Sequence, residues 1–284
     1  EADNLAVIGA AQAARRNGRS MHVVTTAIEH KAVLAAAHVV VSMGGRETIL
    51  PVDRNGQVRL EALDAALAEG PALVSVMWVN NEVGTVNDVA AAAAVVRRHA
   101  PEALVHTDAV QAPSWIDLRE LTPHVDLLAL SAHKFGGPKG VGVLVERGGP
   151  RIDPLIIGGG QERERRSGTH NVAGIAAAAT ALRLTDSERV TEIPRLTELR
   201  DCLVDELVEQ LDDVVETIPR DHGEHGVEKV AGSAHVCIGG IESEALLFLL
   251  DEAEVCASAA SACASGAMEP SHVLAAMGVD REVA

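Results

Sequence analysis

The chain has 284 residues, of which 47% are hydrophobic and 23% are charged, and its formal net charge is −17. Its length and composition suit one large globular domain or two unequal ones, and they exclude a disordered or fibrous protein. The negative charge disfavours nonspecific binding to nucleic-acid phosphates, and no apolar run reaches the roughly 18 residues that a membrane span requires. We therefore expect a globular protein that binds neither nucleic acid nor membrane directly.

Short strands rich in β-branched residues alternate with alanine-rich helices from Met21 to about Val145. In chain order, the predicted elements are MHVVTTA, a helix from Glu29, ALVSVMWV, VAAAAAVVRRHA, ALVHTDA, VDLLALSA and VGVLVE. This alternation predicts an α/β domain with a mostly parallel sheet covered by helices. In such sheets, ligands bind at the carboxyl ends of the strands.

The pattern changes between about Thr185 and Pro194. A long charged helix, RLTELRDCLVDELVEQL, is followed by a loop, a short strand SAHVCI and a helix from Glu242. We therefore place a boundary near residue 190. The expected architecture is a large domain over residues 1–190 and a smaller C-terminal α+β domain over residues 191–284.

Polar residues follow three of the predicted strands. They are Asn80-Asn81-Glu82, then Asp108 with Gln111, and then Ser131-Ala132-His133-Lys134. Because the carboxyl ends of parallel strands meet at one edge of a sheet, the three groups are expected to line one shared pocket.

The segment SAHKFGGPKG places Lys134 after a buried strand and before a glycine-rich turn. A lone lysine in a turn is usually only a surface residue. Pyridoxal phosphate, however, requires a lysine, an acid at its pyridine nitrogen, a group that stacks on the ring and donors for its phosphate. The chain has a candidate for each requirement. These are Lys134, Asp108, His30, and Ser131 and His133 with the RSGTHN segment (Arg166 to Asn171).

Each of these other candidates also has a simpler interpretation. An aspartate that ends a strand, such as Asp108, is often only a turn former or helix cap. His30 near a helix start is more often a surface or capping residue, and the RSGT sequence before a helix also suits a plain cap. The cofactor interpretation depends on their occurrence together.

Cys263 lies in SACASGAMEP, among residues too small to shield it. We expect an accessible loop that ends where Pro270 starts a helix, and an accessible thiolate is a good nucleophile toward sulfur. Cys202 and Cys237 are expected to be buried and inert, and Cys256 to be intermediate. Four cysteines without a CxxC pair favour free thiols in a reducing cytoplasm over a disulfide framework.

Together these motifs resemble the NifS-type (group I) cysteine desulfurases, which are class V aminotransferases of fold-type I. The similar segments are EADNLA, EHKAVL, PVDRNGQV, VNNEVGTV, HTDAVQ, SAHKFGGPKG, GGGQERERRSGTHN, SACASG and EPSHVL. The resemblance implies the pyridoxal-phosphate-dependent transferase fold. The family's threonine before Glu1 and its C-terminal arginine for the substrate carboxylate do not occur in this sequence, so we expect it to be truncated at both ends.

The resemblance also implies how the site binds its cofactor. Lys134 would carry pyridoxal 5′-phosphate, Asp108 would contact the pyridine nitrogen, and His30 would stack on the ring. Asn81 and Gln111 would bond near the phenolic oxygen. Lys134 and His30 would also act in catalysis.

The phosphate and the sulfur would be bound by further residues. Ser131 and His133 would hold the phosphate, together with Thr169 from the partner subunit of a homodimer. Cys263 would take sulfur from L-cysteine as a persulfide and leave L-alanine. The sulfur would pass to an iron–sulfur scaffold or a sulfur-carrier protein, for cluster assembly or tRNA thiolation. No resident metal is implied, although Cys263 could transiently ligate an iron–sulfur cluster on a scaffold.

Two other functions remain open from the sequence. The same scaffold would suit a selenocysteine lyase or another class V lyase, in which turnover need not depend on Cys263. A protein that only binds a scaffold, without catalysis, is the alternative from a different class.

Overall fold

The computed structural model describes residues 1–149, 151–220, 228–259 and 271–280. The helices in this part of the chain are α1 (Ala2–Arg16), α2 (Lys31–Ser42), α3 (Leu60–Leu67), α4 (Val89–His99), α5 (Leu118–Leu121), α6 (Val172–Gln210), α7 (Ser243–Glu252) and α8 (His272–Ala276). The strands are β1 (His22–Thr26), β2 (Arg46–Leu50), β3 (Leu73–Ser75), β4 (Leu104–Asp108), β5 (Leu127–Ser131), β6 (Gly142–Glu146), β7 (Val214–Glu216) and β8 (Val236–Ile238).

The main sheet has six strands in the order β2-β1-β3-β4-β5-β6. The first five strands in this order run parallel to their neighbours, and β6 runs antiparallel to β5. The predicted mostly parallel sheet is therefore confirmed. Its strand order reverses beside β1 and β3, so the sheet has the crevice at its carboxyl edge where α/β proteins bind ligands.

Alternate residues of the central strands pack into two separate hydrophobic layers. Leu73 and Leu104 face the layer formed with α1 and α2. The next residues along, Val74 and Val105, face the opposite layer with α3 and α4. Since side chains alternate between the two faces of a strand, His106 and Asp108 lie on the same face as Leu104. The two polar residues therefore point toward α1 and α2.

Helix α6 connects the main sheet with the second, smaller sheet. It runs from Val172 to Gln210 and contains Pro194. Asn171 caps its start by accepting a hydrogen bond from the Gly174 amide at 3.1 Å. The expected boundary near residue 190 lies inside this continuous helix and stays a prediction. Beyond α6, β7 and β8 form an antiparallel pair, and α7 follows.

None of the helices in the described ranges combines the length with the apolar character that a bilayer crossing requires.

Candidate active site

Lys134 lies on a rigid turn directly after β5. Residues Ala132–Phe135 form a single 3₁₀ turn that ends at Gly136, whose φ of +79° is in the left-handed region. The Gly137 amide donates to the carbonyl of Ala132 at 2.8 Å, and a Cβ on Gly137 would lie 2.9 Å from that oxygen. A larger residue at Gly137 would displace the turn. The two glycines thus hold the exposed Lys134 at the carboxyl edge of the sheet.

The expected phosphate-binding residues lie on two segments. Ser131 Oγ and His133 Nδ1 are 2.8 Å apart, within hydrogen-bonding distance. Thr169 is exposed in the segment before α6. The same segment is tied to the start of α1, because Arg166 Nε donates to Glu1 Oε1 at 2.9 Å.

Asp108 ends β4 as a buried carboxylate with 4% of its surface exposed. Its Oδ1 accepts a hydrogen bond from the Val110 amide at 2.9 Å, so the simpler turn-forming role is also present. Burial raises the pKa of Asp108 to about 6, while the Val110 amide and the positive charge of Lys134 oppose the rise. Asp108 and Lys134 are therefore close enough to interact electrostatically, and the predicted acid and amine share one site. Gln111, in the next turn, is half-buried.

His30 is the N-cap of α2. Its Nδ1 accepts a hydrogen bond from the Ala32 amide at 3.1 Å, so the neutral ring carries its proton on Nε2. Burial lowers the pKa of His30, Asp3 opposes this shift and Lys134 adds to it. The capping interpretation is therefore correct for Nδ1. It does not exclude a role at the site, because Lys134 acts on the same ring.

The two adjacent asparagines after β3 occupy different environments. Asn80 is buried, donates to the Ile28 carbonyl at 3.1 Å, and accepts from the amides of Glu82 and Val83 at 2.9 and 3.0 Å. Asn81 is exposed. Asn80 therefore shapes the turn, and Asn81 is the side chain left to contact a ligand.

Three buried polar residues that the sequence analysis did not assign lie beside Asp108. Asp3 Oδ1, Glu29 Oε2 and His106 Nε2 are buried without a hydrogen-bond partner among the described residues. Burial, reinforced by the charge of Asp108, raises the pKa of Asp3 to about 7 and that of Glu29 to about 8. Complete burial lowers the pKa of His106 to about 3. All three occur in the segments EADNLA, EHKAVL and HTDAVQ. The alternation of side chains along β4 was the signal that could have identified His106.

Helix α8 is attached to two loops of this site. Ser271 Oγ donates to Glu82 Oε2, and His272 Nε2 lies 3.0 Å from the carbonyl oxygen of Glu29. Ser271 also caps α8 by accepting from the Val273 amide at 3.1 Å. The start of α8 is thereby fixed beside the loops that contain Asn81 and His30.

Two of the cysteines, Cys202 and Cys256, are more exposed than expected. Cys263 lies outside the described residues, as does Pro270. Cys237 is buried, as predicted, but Cys202 is exposed and the prediction that it is buried was wrong. It lies on the solvent side of α6, where its Sγ donates to Glu206 at 3.4 Å, and this carboxylate raises the pKa of the thiol. Cys256 is also exposed.

Comparison with known proteins places the chain in a family. The sequence profile of the family "Aminotransferase class-V" matches residues 1–279. The chain belongs to the class-V aminotransferases. It is 40% identical, over all of its 284 residues and 70% of the relative, to the cysteine desulfurase IscS of Dictyoglomus turgidum. The resemblance to NifS-type cysteine desulfurases is therefore confirmed.

Solved structures agree with this placement. A NifS-like protein superposes with a TM-score of 0.86 at 35% identity, covering 99% of this chain and 72% of that one. A second structure, described as SspA in complex with cysteine, has a TM-score of 0.75 at 27% identity and covers 99% of this chain and 76% of that one. The fold is that of the fold-type I transferases, as predicted.

Pyridoxal phosphate is the cofactor of this family, and the residues at the site fit it. A buried carboxylate is unfavourable without a nearby positive charge, and a protonated pyridine nitrogen would supply that charge to Asp108. The exposed amine of Lys134 lies within electrostatic reach of the same carboxylate. Ser131 and His133 offer a hydroxyl and a ring N–H to a phosphate.

Proposed function

We propose that this chain is a cysteine desulfurase that converts L-cysteine to L-alanine and transfers the sulfur to Cys263. The observation that carries the proposal is that Asp108 and Lys134 follow neighbouring parallel strands at the carboxyl edge of the sheet of a class-V aminotransferase, with His30 at the start of α2 after β1. The three residues come from segments far apart in the sequence. Lys134 supplies an amine for covalent attachment of the cofactor, Asp108 an acid for its pyridine nitrogen, and His30 a ring that can stack on it.

The proposed roles are those that the resemblance to cysteine desulfurases implies for these residues. The Nζ of Lys134 would hold pyridoxal phosphate covalently, and the same amine would serve as the base that moves protons at the substrate. Asp108 keeps the pyridine nitrogen protonated, and His30 stacks on the ring. Asn81 and Gln111 bond near the phenolic oxygen, whereas Ser131 and His133 hold the phosphate. When bound, pyridoxal phosphate withdraws electrons from the substrate's Cα.

The sulfur step needs no external oxidant. The thiolate of Cys263 attacks the substrate sulfur, so that an S–S bond forms and the C–S bond of cysteine breaks. The electron pair of the broken bond stays with the carbon, which takes a proton and becomes the methyl group of alanine. Cys263 is left as a persulfide. The atoms and electrons of cysteine and the Cys263 thiol are therefore all accounted for in alanine and the persulfide.

Covalent attachment of the cofactor to Lys134 can be tested without turnover. The protein is incubated with pyridoxal phosphate and reduced with borohydride, and the modified peptide is identified by mass spectrometry. We expect the label on Lys134, with Lys139 of the same segment as an internal control. A label spread over several surface lysines, or one that persists unchanged in Lys134→Ala, would refute the assignment.

The sulfur acceptor can be tested with matched cysteine variants. Persulfide formed from L-cysteine is trapped by alkylation and located by mass spectrometry in Cys263→Ser, Cys202→Ser and Cys256→Ser. The last two cysteines are exposed and serve as controls. We expect only Cys263→Ser to lose the persulfide. If the unmodified protein forms no persulfide from cysteine but releases selenide from selenocysteine, and Cys263→Ser releases it at the same rate, a selenocysteine lyase is the better description.

A homodimer is part of the proposal. Two apolar side chains flank the segment that contains Thr169, with Ile157 85% and Val172 70% exposed, and a second copy would cover them. In the proposed dimer, Thr169 reaches the phosphate of the other subunit. Mixing Lys134→Ala with Thr169→Ala subunits should then restore one intact site in each mixed dimer, with increased cofactor binding. Unchanged binding in the mixture would contradict an inter-subunit role.

The persulfide sulfur is proposed to pass to an iron–sulfur scaffold or a sulfur-carrier protein. Transfer from Cys263, rather than release of free sulfide, can be followed with radiolabelled cysteine and a purified acceptor of each class. The unpaired thiols of Cys202, Cys237 and Cys256 suit the reducing cytoplasm in which we propose that the protein acts.

A further inference from the structure

The face of β4 that bears Asp108 also carries a second buried pair. His106 lies two residues before Asp108 and is completely buried, and Asp3 of α1 is 8% exposed. Asp3 Oδ1 and His106 Nε2 are 3.7 Å apart, slightly beyond hydrogen-bonding distance, and both atoms are without a partner among the described residues. A buried polar atom left unpaired costs about 1–3 kcal/mol. A small rotation that joins the two atoms would satisfy both, so we assign them to each other.

The direction of this hydrogen bond follows from the surrounding charges. The groups that face Asp3 are Asp108 and His106 on β4, and His30 and Glu29 at the start of α2. Two carboxylates buried beside each other cannot both ionise readily. Lys134 acts on Asp108 and favours its charged form. Asp3 is therefore the carboxyl that keeps a proton.

A protonated Asp3 fixes the tautomer of His106. The acid O–H donates to Nε2, so the neutral ring must carry its own proton on Nδ1. That nitrogen lies 2.9 Å from Ser75 Oγ, which can accept it. The result is a chain of two hydrogen bonds from α1 through β4 to β3, without a net charge.

We infer that Asp3 is a positioning residue whose protonated carboxyl donates a hydrogen bond to His106 Nε2, so that Asp108 is the charged carboxylate of this pair. The inference deepens the proposed function, because Asp108 is the proposed partner of the pyridine nitrogen. An ionised Asp3 would compete with Asp108 for that role and repel it. The proton on Asp3 thereby removes a competing negative charge from the surroundings of Asp108.

The first test compares thermal unfolding of the cofactor-loaded protein with that of Asp3→Asn between pH 5 and 8.5. Folding raises the pKa of Asp3 from 3.8 to about 7. The stabilising contribution of such a group is lost as the pH rises from the pKa of the unfolded chain to that of the folded protein. Asparagine offers an N–H to His106 at every pH. We expect the Tm difference to shift in favour of Asp3→Asn by about 5 °C across this range. Asp212→Asn, in the exposed loop after α6, should give a constant difference.

Two further measurements separate positioning from simple packing. In ¹⁵N NMR spectra, His106, assigned with His106→Gln, should show a protonated Nδ1 and an unprotonated Nε2. Asp3→Ala should weaken pyridoxal-phosphate binding about tenfold, as expected for one lost hydrogen bond, with Asp3→Asn within about twofold of the parent.

Parallel Tm profiles for the parent and Asp3→Asn, or a proton on His106 Nε2, would overturn the inference. Neither readout depends on persulfide formation at Cys263 or on labelling of Lys134. The inference and the proposed function can therefore fail separately.

Discussion

The adjacent residues Asn80 and Asn81 provide a sharp test of how the site loop is built. The Asn80 side chain makes four hydrogen bonds inside the protein, to the Ile28 carbonyl, the Met77 sulfur and the amides of Glu82 and Val83, whereas Asn81 is exposed. Asn80→Ala removes these side-chain hydrogen bonds, each of which contributes about 1 kcal/mol. It also leaves the backbone N–H of the completely buried Val83 without its acceptor. We therefore expect Asn80→Ala to lose about 3–5 kcal/mol of unfolding free energy.

Asn81→Ala should behave in the opposite way. An exposed substitution away from packed contacts changes stability by about 0.5 kcal/mol or less. If Asn81 bonds near the phenolic oxygen of the cofactor, the same substitution should shift the absorption band of the bound cofactor and weaken its binding. The two variants differ by one position in the chain, so each is a control for the other.

The assay is urea denaturation followed by circular dichroism at a fixed protein concentration, with cofactor binding measured in parallel by absorbance. The denaturant slope should be the same for both variants, so that the midpoints report stability directly. A loss below 1 kcal/mol for Asn80→Ala would refute the hydrogen-bond argument. If Asn81→Ala loses as much unfolding free energy as Asn80→Ala, Asn81 supports the turn and does not act through contact with the cofactor.

Three other substitutions test separate parts of the structure. Because burial raises the pKa of Glu29 from 4.5 to about 8, its stabilising contribution is lost as the pH rises through this range, and Glu29→Gln should flatten the decline of Tm between about pH 5 and 8 in calorimetry. Ser271→Ala should cost about 1 kcal/mol in denaturant titrations by loss of the α8 cap, and Ser271→Thr should restore most of it. Gly137→Ala should lower borohydride-trapped cofactor on Lys134, since the new Cβ would lie 2.9 Å from the Ala132 carbonyl oxygen. A stable variant with full labelling would contradict this last expectation.

The sheet could be predicted because its central strands β1, β3 and β4 are buried on both faces and the strands are separated by helices. The residues at which individual strands end were less predictable. The apolar run ALVSVMWV was expected to be one strand, but β3 is only Leu73–Ser75. Beyond it, Val76 and Trp78 still donate to the carbonyls of His106 and Asp108, although the pairing with β1 ends at Val74. An apolar run shows that a segment is buried and does not show where it leaves a neighbouring strand.

The site was predictable to the extent that its residues have distinctive chemical types. A lysine before two glycines and an aspartate at a strand end could be recognised in the sequence, and the structure brings Lys134 and Asp108 together. Asp3 and Glu29 could not be recognised, because an acid in a helix or before one is usually exposed. The burial of Asp3 depends on how α1 packs against β4, and that of Glu29 on its contact with the Met77 amide after β3, and both are long-range properties of the fold.

The buried acids also bear on whether the chain is a catalyst or only a binding protein. The layer between the sheet and helices α1 and α2 is mainly apolar, and burying ionisable groups in it has a desolvation cost even where they pair with each other. Well-packed apolar residues in place of Asp3 and His106 would often be as stable or more so. A protein that only bound a scaffold through its surface would gain nothing from this cost. A protein that must hold one charged carboxylate, Asp108, in a dry environment beside an amine does gain from it, and this difference favours the catalytic interpretation.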